Sequence, residues 1–236
     1  MKKFFACEVL GMMAMVSYAQ AITDGHYKKC LVIGAHPDDP ESMSGGTMLA
    51  LKDLGCEVVS VYFTRGEGGI VGKSATETAQ IRSQEALDAC REMGVRAVFL
   101  SQVDGASYVN AEAYAEMLEL IKTEKPDLVL THWPIDSHRD HRNCSILVYD
   151  AWRRSGYSFD LYYGEVMTGL QTQNFHPDTW VDISKYRDQK LKAYLMHVSQ
   201  NTDGNIEAYH DPMEQMRGLE YRCKYAEGYV KQQKGR

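Results

Sequence analysis

The sequence is poor in cysteine, and the cysteines that it has show no pattern. Six occur among 236 residues, widely scattered, with no CxxC pair and no dense spacing. A disulfide framework and a thiolate zinc site both need such spacing, so neither is expected. Most of the cysteines are therefore predicted to be small residues of the core.

An excess of basic residues is also absent. The chain has 26 Lys and Arg residues against 32 Asp and Glu residues, which gives a formal net charge of −6. Nucleic acids and anionic membrane surfaces attract concentrated positive charge, so neither is an expected partner. With 44% hydrophobic and 25% charged residues, the composition is that of an ordinary globular domain.

The apolar stretch at residues 4–16 is shorter than the roughly 20 residues that a membrane span needs, so no stable membrane insertion is expected. Lys2 and Lys3 precede this stretch, and small residues follow it near position 21. The layout predicts a secretory signal peptide over residues 1–21, and hence export to the periplasm or the medium. Glu8 lies inside the stretch, where a charge opposes insertion into a membrane. The alternative is therefore an N-terminal helix packed on a cytoplasmic domain.

Beyond residue 30 the chain alternates short apolar runs with longer helical patterns. Strands are predicted at 30–34, 58–63, 97–100 and 127–131, and helices at 48–54, 76–93, 111–123 and 143–154. Repeated β-α units with continuous apolar strands are typical of a parallel sheet covered on both faces. The predicted fold is α/β, a Rossmann-like, mostly parallel sheet with helices on both faces, in a single domain over residues 22–236. The turn after the first strand lacks a G-x-G-x-x-G fingerprint, so dinucleotide binding is not expected.

The pattern is less regular after about residue 156. It predicts a short strand at 180–183 and helices at 184–199 and 212–230. No internal repeat or linker is visible in this part of the sequence, which is consistent with a single domain.

Polar side chains with metal-binding chemistry follow the first and fourth predicted strands. His36, Asp38 and Asp39 come directly after the first strand, and His138 and His141 come after the fourth. The carboxyl ends of parallel strands share one edge of a sheet, which is where ligands bind in such folds. Either segment alone could be a polar turn or a solvated loop. Together they offer two imidazoles and a carboxylate, the ligand set of a hydrolytic zinc site with a position open for water.

These segments resemble one known family. The resemblance rests on A-H-P-D-D-x-E at 35–41, G-G-T at 45–47, T-R-G-E at 64–67 and D-x-H-x-D-H at 136–141. The motifs and their order are similar to those of the zinc-dependent de-N-acetylases related to N-acetylglucosaminyl-phosphatidylinositol deacetylase, the PIG-L or LmbE-like family.

The resemblance implies a metal site and two residues that act beside it. His36, Asp39 and His141 would bind Zn²⁺, and Asp38 would be the general base that takes a proton from the attacking water. His138, in its protonated form, would stabilise the negative charge of the tetrahedral intermediate.

Two further residues receive roles from the same resemblance. Asp140 would orient His138, and Arg82 would face the site and bind substrate. For Arg82 the alternative is a helix-surface arginine paired with Glu85.

The remaining histidines have no partner at motif spacing. His197 is interpreted as a packed or capping residue, and His26, His176 and His210 are predicted to lie at the surface.

The leading prediction is a zinc-dependent hydrolase that removes an N-acetyl group from an N-acetylglucosamine-containing sugar or glycoconjugate. One alternative is an amidase-type hydrolase that acts on another N-acylated amine. Another is a carbohydrate-binding protein that has kept the fold and lost turnover. The presence of every expected catalytic position argues against the second alternative.

Overall fold

The computed structural model describes residues 22–202, 204 and 206–234. The signal peptide predicted over residues 1–21 lies outside the described residues, so export stays a prediction. In the part that is described, no helix is both long and apolar enough to cross a membrane.

Seven strands form one sheet. They are β1 (Lys29–Gly34), β2 (Glu57–Tyr62), β3 (Arg96–Phe99), β4 (Leu128–His132), β5 (Asp160–Gly164), β6 (Thr179–Asp182) and β7 (Ala226–Lys231). Across the sheet the order is β3-β2-β1-β4-β5-β7-β6. The strands from β3 to β5 are parallel, whereas β7 runs antiparallel to both β5 and β6. The mostly parallel sheet predicted from the sequence is confirmed.

Helices cover both faces of this sheet. They are α1 (Asp39–Asp53), α2 (Ala75–Met93), α3 (Ala111–Glu124), α4 (Arg139–Arg154), α5 (Arg187–Tyr194) and α6 (Ile206–Tyr221), with a 3₁₀ turn at Val198–Gln200. The helix predicted over 184–199 is thus shorter than expected, because α5 ends at Tyr194 and a separate turn follows.

Alternate residues of β1 pack into two separate cores. Cys30 and Val32 join a cluster with α1 and α2 on one face, and Leu31 and Ile33 join a cluster with α3 and α4 on the other. All four side chains are fully buried, and burial of an aliphatic side chain stabilises a fold by about 1.5–3 kcal/mol. Because β1 is apolar on both sides, its polar chemistry begins only past its carboxyl end.

The helix predicted over 212–230 is wrong in its second half. The helix α6 ends at Tyr221, Arg222 adopts a φ of 63°, and the chain returns as β7 between β5 and β6. In that position the backbone of β7 pairs with strands on both of its sides, which satisfies its buried N–H and C=O groups. This gain comes from distant partners, so the local pattern of residues could not indicate it.

Candidate active site

The candidate site lies where the strand order reverses. The chain moves outward from β1 to β3 and then returns to β4 on the other side of β1, so the loops after β1 and β4 diverge and leave a crevice. A cavity of about 610 Å³ occupies the crevice, which is a usual size for a small-molecule site. The predicted site residues that line it are His36, Asp38, Asp39, Arg82, His138 and His141. Asp140 is fully buried beside them.

The turn between β1 and α1 has an unusual backbone. Asp38 adopts a φ of 115°, which residues other than glycine rarely do. Such a conformation persists where its surroundings hold it, often at functional sites. Gly34 makes the tight turn possible, since a Cβ there would lie 2.7 Å from the Cβ of Asp39. The turn gives the two adjacent carboxylates of Asp38 and Asp39 different partners.

Asp39 lies between two histidines that are distant in sequence. Its Oδ2 is 3.2 Å from Nδ1 of His36 and 3.4 Å from Nε2 of His141. His141 lies in the first turn of α4, which begins at Arg139 rather than at the predicted residue 143. The three predicted metal ligands are therefore gathered around one carboxylate oxygen.

The outer nitrogens of both histidine rings face carboxylates. Nε2 of His36 is 3.1 Å from Oδ1 of Asp104 and 3.3 Å from Oδ2 of Asp140. Nδ1 of His141 is 3.1 Å from Oδ2 of Asp136. Metal-binding histidines usually donate their second N–H to a carboxylate or a carbonyl, which fixes the tautomer and the orientation of the ring. The arrangement leaves Nδ1 of His36 and Nε2 of His141 as the ring nitrogens that could bind a metal.

His132, to which sequence reasoning gave no role, contacts Asp39 and His141. Its Nε2 accepts the backbone N–H of Ala35 at 2.8 Å and lies 3.3 Å from Oδ2 of Asp39. Its ring stacks on that of His141, with centroids 4.0 Å apart. Burial lowers the pKa of His132 to about 4, so its ring is neutral. A lone pair that accepts an N–H is not free for a metal, so Nε2 of His132 is occupied, although a ring nitrogen of His132 lies within 4.8 Å of donor atoms of Asp39 and His141.

The charges of the cluster suit a bound cation. Burial raises the pKa of Asp39, but His141 and His132 outweigh this effect and hold it well below its usual value. Burial lowers the pKa of His141, but Asp39 and Asp136 outweigh it and raise the pKa to about 9. The ionised carboxylate of Asp39 keeps protons on the neighbouring imidazoles. A divalent metal could replace those protons and bind the carboxylate and the imidazoles in their place.

His138 caps the N-terminus of α4, and Asp140 orients it in an unexpected way. Nδ1 of His138 accepts the backbone N–H of Asp140 at 3.3 Å. The carboxylate of Asp140 instead accepts the hydroxyl of Ser107 at 2.5 Å and the N–H of Gly105 at 2.7 Å, and it lies beside His36. Since Nδ1 is an acceptor, the proton of a neutral His138 ring lies on Nε2.

The protonation state of His138 differs from the expected one. Burial, together with the neighbouring His36 and His141, lowers its pKa. A neutral ring is therefore favoured over the protonated ring that the family resemblance implied. A neutral ring still donates one hydrogen bond, from Nε2.

Arg82 holds the carboxylate of Asp38. Its Nη2 donates to Oδ2 of Asp38 at 3.0 Å and to the carbonyl of Pro37 at 2.5 Å. The side chain is buried, so the alternative of a surface arginine paired with Glu85 is wrong. Glu85 instead accepts the N–H and hydroxyl of Ser199. Contact of Arg82 with a substrate stays a prediction.

We expect Arg82→Gln to lower kcat/KM by roughly 10-fold or more, because a hydrogen bond to a charged group contributes about 1.5–3 kcal/mol. The matched control is Arg91→Gln, which removes an exposed ion pair with Asp88 on the same helix and should change activity less than about twofold. Steady-state kinetics of both variants, with thermal unfolding as a check on folding, make the comparison. Equal effects of the two changes would contradict a role for Arg82 at Asp38.

Two residues at the cavity escaped sequence reasoning. Asp104, in the loop after β3, contacts His36, and Gly68 donates its N–H to the same carboxylate at 3.1 Å. The position of Asp104 beyond the end of β3 was the one feature of the sequence that could have indicated a place at the site. The surface location predicted for His210 is wrong, since the residue is 4% exposed and lines the cavity.

The other histidines lie where they were expected. His197 is fully buried, with Nε2 3.3 Å from Oε2 of Glu41. His26 and His176 are exposed.

The central part of the chain matches a known family. The family described as "PIG-L: GlcNAc-PI de-N-acetylase" matches residues 31–152, which is more than half of the chain. The chain belongs to the PIG-L family. The resemblance found in the sequence is confirmed, and the matched span contains every predicted site residue.

Individual relatives agree with this assignment. The diacetylchitobiose deacetylase of Thermococcus kodakarensis is 32% identical over 187 residues, which cover 73% of this chain and 70% of the relative. Among solved structures, the N,N'-diacetylchitobiose deacetylase from Pyrococcus horikoshii with its inhibitor MPG has a TM-score of 0.80 and 26% identity, and the match covers 92% of this chain and 88% of that one.

The fold also occurs in an enzyme with different chemistry. GalB, the 4-carboxy-2-hydroxymuconate hydratase from Pseudomonas putida, has a TM-score of 0.78 with 21% identity, over 89% of this chain and 98% of that one. This likeness is one of fold alone. Since one fold can support several reactions, the residues of the site determine which reaction this one supports.

Proposed function

We propose that this PIG-L family protein is a zinc-dependent N-deacetylase that acts on an N-acetylglucosamine-containing sugar or glycoconjugate. The observation that carries the proposal is the division of labour between two adjacent carboxylates in one cavity. Asp39 lies between His36 and His141, whereas Asp38 is bound to Arg82. One carboxylate is placed for a metal and the other for a proton.

A divalent metal fits the residues present. His36, Asp39 and His141 are buried, a nitrogen of each histidine lies within 3.4 Å of Oδ2 of Asp39, and carboxylates lie behind both rings. Two imidazoles and one carboxylate form a common catalytic zinc site with a position left open, and imidazole ligands favour zinc over the harder cations. A metal bound there supplies a Lewis acid that acidifies water and polarises an amide carbonyl.

Asp38 accepts the proton of the attacking water. Its side chain lines the cavity directly beside the ligand Asp39 and is 18% exposed. Burial raises its pKa while Arg82 opposes that rise. A carboxylate whose pKa moves up towards the working pH is a better general base, because both proton uptake and proton return become favourable.

His138 stabilises the charge that develops on the carbonyl oxygen. With Nδ1 occupied by the N–H of Asp140, its Nε2–H is the donor of the ring. A preorganised donor at a developing oxyanion contributes about 3–4 kcal/mol to the transition state. A neutral ring serves this purpose, so the lowered pKa of His138 is compatible with the role.

The remaining lining of the cavity suits a sugar. Gln171, Gln200 and Thr202 add amide and hydroxyl groups to it, and such groups pair with the hydroxyls of a saccharide. The relatives named for diacetylchitobiose deacetylation support an N-acetylated amino sugar as the substrate class.

Release of acetate from a panel of N-acetylated compounds tests the proposal. The panel holds N-acetylglucosamine, its short β-linked oligomers, an N-acetylated peptide and an N-acylated amine without a sugar. We expect acetate only from the sugars, with purified zinc-loaded protein. Turnover of the non-sugar amides alone would favour the amidase-type alternative. Saturable binding of the sugars without any acetate would favour a carbohydrate-binding protein.

A further inference from the structure

A chain of hydrogen bonds leads from the cavity into the protein on the side away from the metal-binding histidines. Tyr194, at the end of α5, lies 3.1 Å from Nε2 of His210 through its hydroxyl. Nδ1 of His210 lies 3.4 Å from the hydroxyl of Ser42, which in turn donates to the carbonyl of Val166 at 3.4 Å. All four residues are at most 9% exposed, and all except Ser42 line the cavity.

The carbonyl at the inner end fixes the direction of this chain. A carbonyl can only accept, so Ser42 is the donor of its hydrogen bond with Val166. With that proton used, Ser42 accepts Nδ1–H of His210, and its hydroxyl also lies beside the phenol of Tyr194. Nε2 of His210 is then an acceptor and takes the phenol proton of Tyr194. The phenol has no second proton, so its oxygen can meet a ligand only as an acceptor.

The electrostatics of His210 agree with this polarity. Burial, together with Lys190 and Arg187, lowers its pKa to about 3. The ring is therefore neutral and carries one donor and one acceptor nitrogen, as the chain requires.

Tyr194 also lies near the reacting groups. Burial and the nearby carboxylates of Asp38 and Asp39 raise the pKa of its phenol, and the same three residues line the cavity. A substrate bound at Asp38 thus occupies the same cavity that Tyr194 lines.

We propose that Tyr194 is a specificity-determining residue whose phenol oxygen accepts a hydrogen bond from a donor on the sugar substrate, with His210 as its positioning residue. The inference rests on the proposed function and names a recognition contact within the same site. The donor is either a ring hydroxyl or the amide N–H of the acetamido group, since both are donors close to the scissile bond.

Tyr194→Phe removes the acceptor and keeps the ring. We expect kcat/KM for the preferred N-acetylated sugar to fall about 3- to 10-fold, the usual effect of one neutral hydrogen bond. The matched control is Tyr163→Phe, which removes the buried hydroxyl that donates to Gln232 at 3.0 Å, outside the cavity. Its kcat/KM should stay within about twofold of the wild type. Thermal unfolding of both variants separates a change in recognition from a loss of fold.

Substrate analogues identify the donor and test the direction of the hydrogen bond. Deoxy and fluoro sugars lack one hydroxyl proton each, and a 2-O-acetyl ester lacks the amide N–H. Tyr194→Phe should not lower kcat/KM for the analogue that lacks the donor. The wild type should have the same kcat/KM for the deoxy and the fluoro form of the sugar. In His210→Ala the phenol no longer donates to His210, so its proton can be donated to the substrate. Fluorine can accept it and a deoxy carbon cannot, so this variant should have a higher kcat/KM for the fluoro form than for the deoxy form.

Several outcomes would overturn the inference and leave the proposed function intact. One is wild-type kinetics in Tyr194→Phe, and another is an equal penalty on every analogue. A third is a wild-type preference for a fluoro over a deoxy sugar that Tyr194→Phe abolishes, because the phenol would then be a donor. Failure of the wild type to release acetate from any sugar would instead reject the proposed function.

Discussion

Asp38→Asn is expected to lower turnover by roughly 10²-fold or more, the usual scale for loss of a general base, while the metal content stays at the wild-type level. Asparagine keeps the size of the side chain and can still pair with Arg82 through its amide oxygen, so only the basicity is lost. Asp38 makes no contact that a ligand would make, since its carboxylate is bound to Arg82 rather than to the histidines. Steady-state kinetics and metal analysis of the same preparation test both halves of the expectation.

The neighbouring residue provides the matched control. Asp39→Asn changes the same functional group one position along, but its Oδ2 lies beside three imidazoles, those of His36, His132 and His141. Metal affinity and activity should therefore fall together. If Asp38→Asn emptied the site and Asp39→Asn left it full, the two roles would have to be exchanged.

His138→Ala belongs to the same comparison. Loss of its Nε2–H should raise the free energy of the transition state by a few kcal/mol and so lower turnover. The metal should stay bound. Because the hydrogen bond of Asp140 to His138 comes from its backbone N–H, and its carboxylate lies beside His36, Asp140→Asn should weaken the metal site rather than copy His138→Ala.

The parallel half of the fold could be predicted because its signals are local. Each strand from β1 to β4 is a short apolar run, and the helices after β2, β3 and β4 have their own periodicity. Helix α1 begins at Asp39 but is predicted only at 48–54, because its first turns are buried on nearly all sides and show no clear period. The later part could not be predicted as well. In β7 the residues tolerate a helix, and only pairing with β5 and β6, which are distant in sequence, makes the strand favourable.

The start of α4 shows a similar limit for the site. Its apolar face begins at Cys144, so periodicity placed the start at 143, but the helix begins at Arg139 with His138 as its cap. The first turn contains only polar residues, and contacts with residues around the cavity hold it in place. The motif predicts His141 as a ligand, whereas its place in that first turn could not be read from the pattern.

The supporting residues were beyond the reach of local patterns. His132, Asp104 and His210 contribute through contacts with segments far away in the chain. No short motif contains them, and each acts by burial and by hydrogen bonds that exist only in the folded protein. The strand-end rule was the one signal, and it applied to the first two but not to His210, which lies on α6.

A double variant, His36→Ala with His141→Ala, is expected to lose the metal and with it all measurable turnover. Of the three predicted ligands it leaves only the carboxylate of Asp39, too few donors to hold zinc. Inductively coupled plasma mass spectrometry of protein purified without a histidine tag gives the metal content. Added zinc should raise the thermal stability of the wild type, by about 4 kcal/mol at 1,000 times Kd, and should not stabilise the variant.

The matched control for that experiment removes two histidines elsewhere. His26→Ala with His176→Ala deletes the same number of imidazoles from exposed positions, so it corrects for zinc bound loosely at the surface. It should keep one metal per chain and full activity. Should the His36/His141 variant instead retain its metal while the control is unchanged, the ligands would have to be sought among Asp104, His138 and Asp140, whose donor atoms lie within 4.8 Å of one another. In that case Asp39 would not be a metal ligand, and the division of labour with Asp38 would no longer explain the reaction.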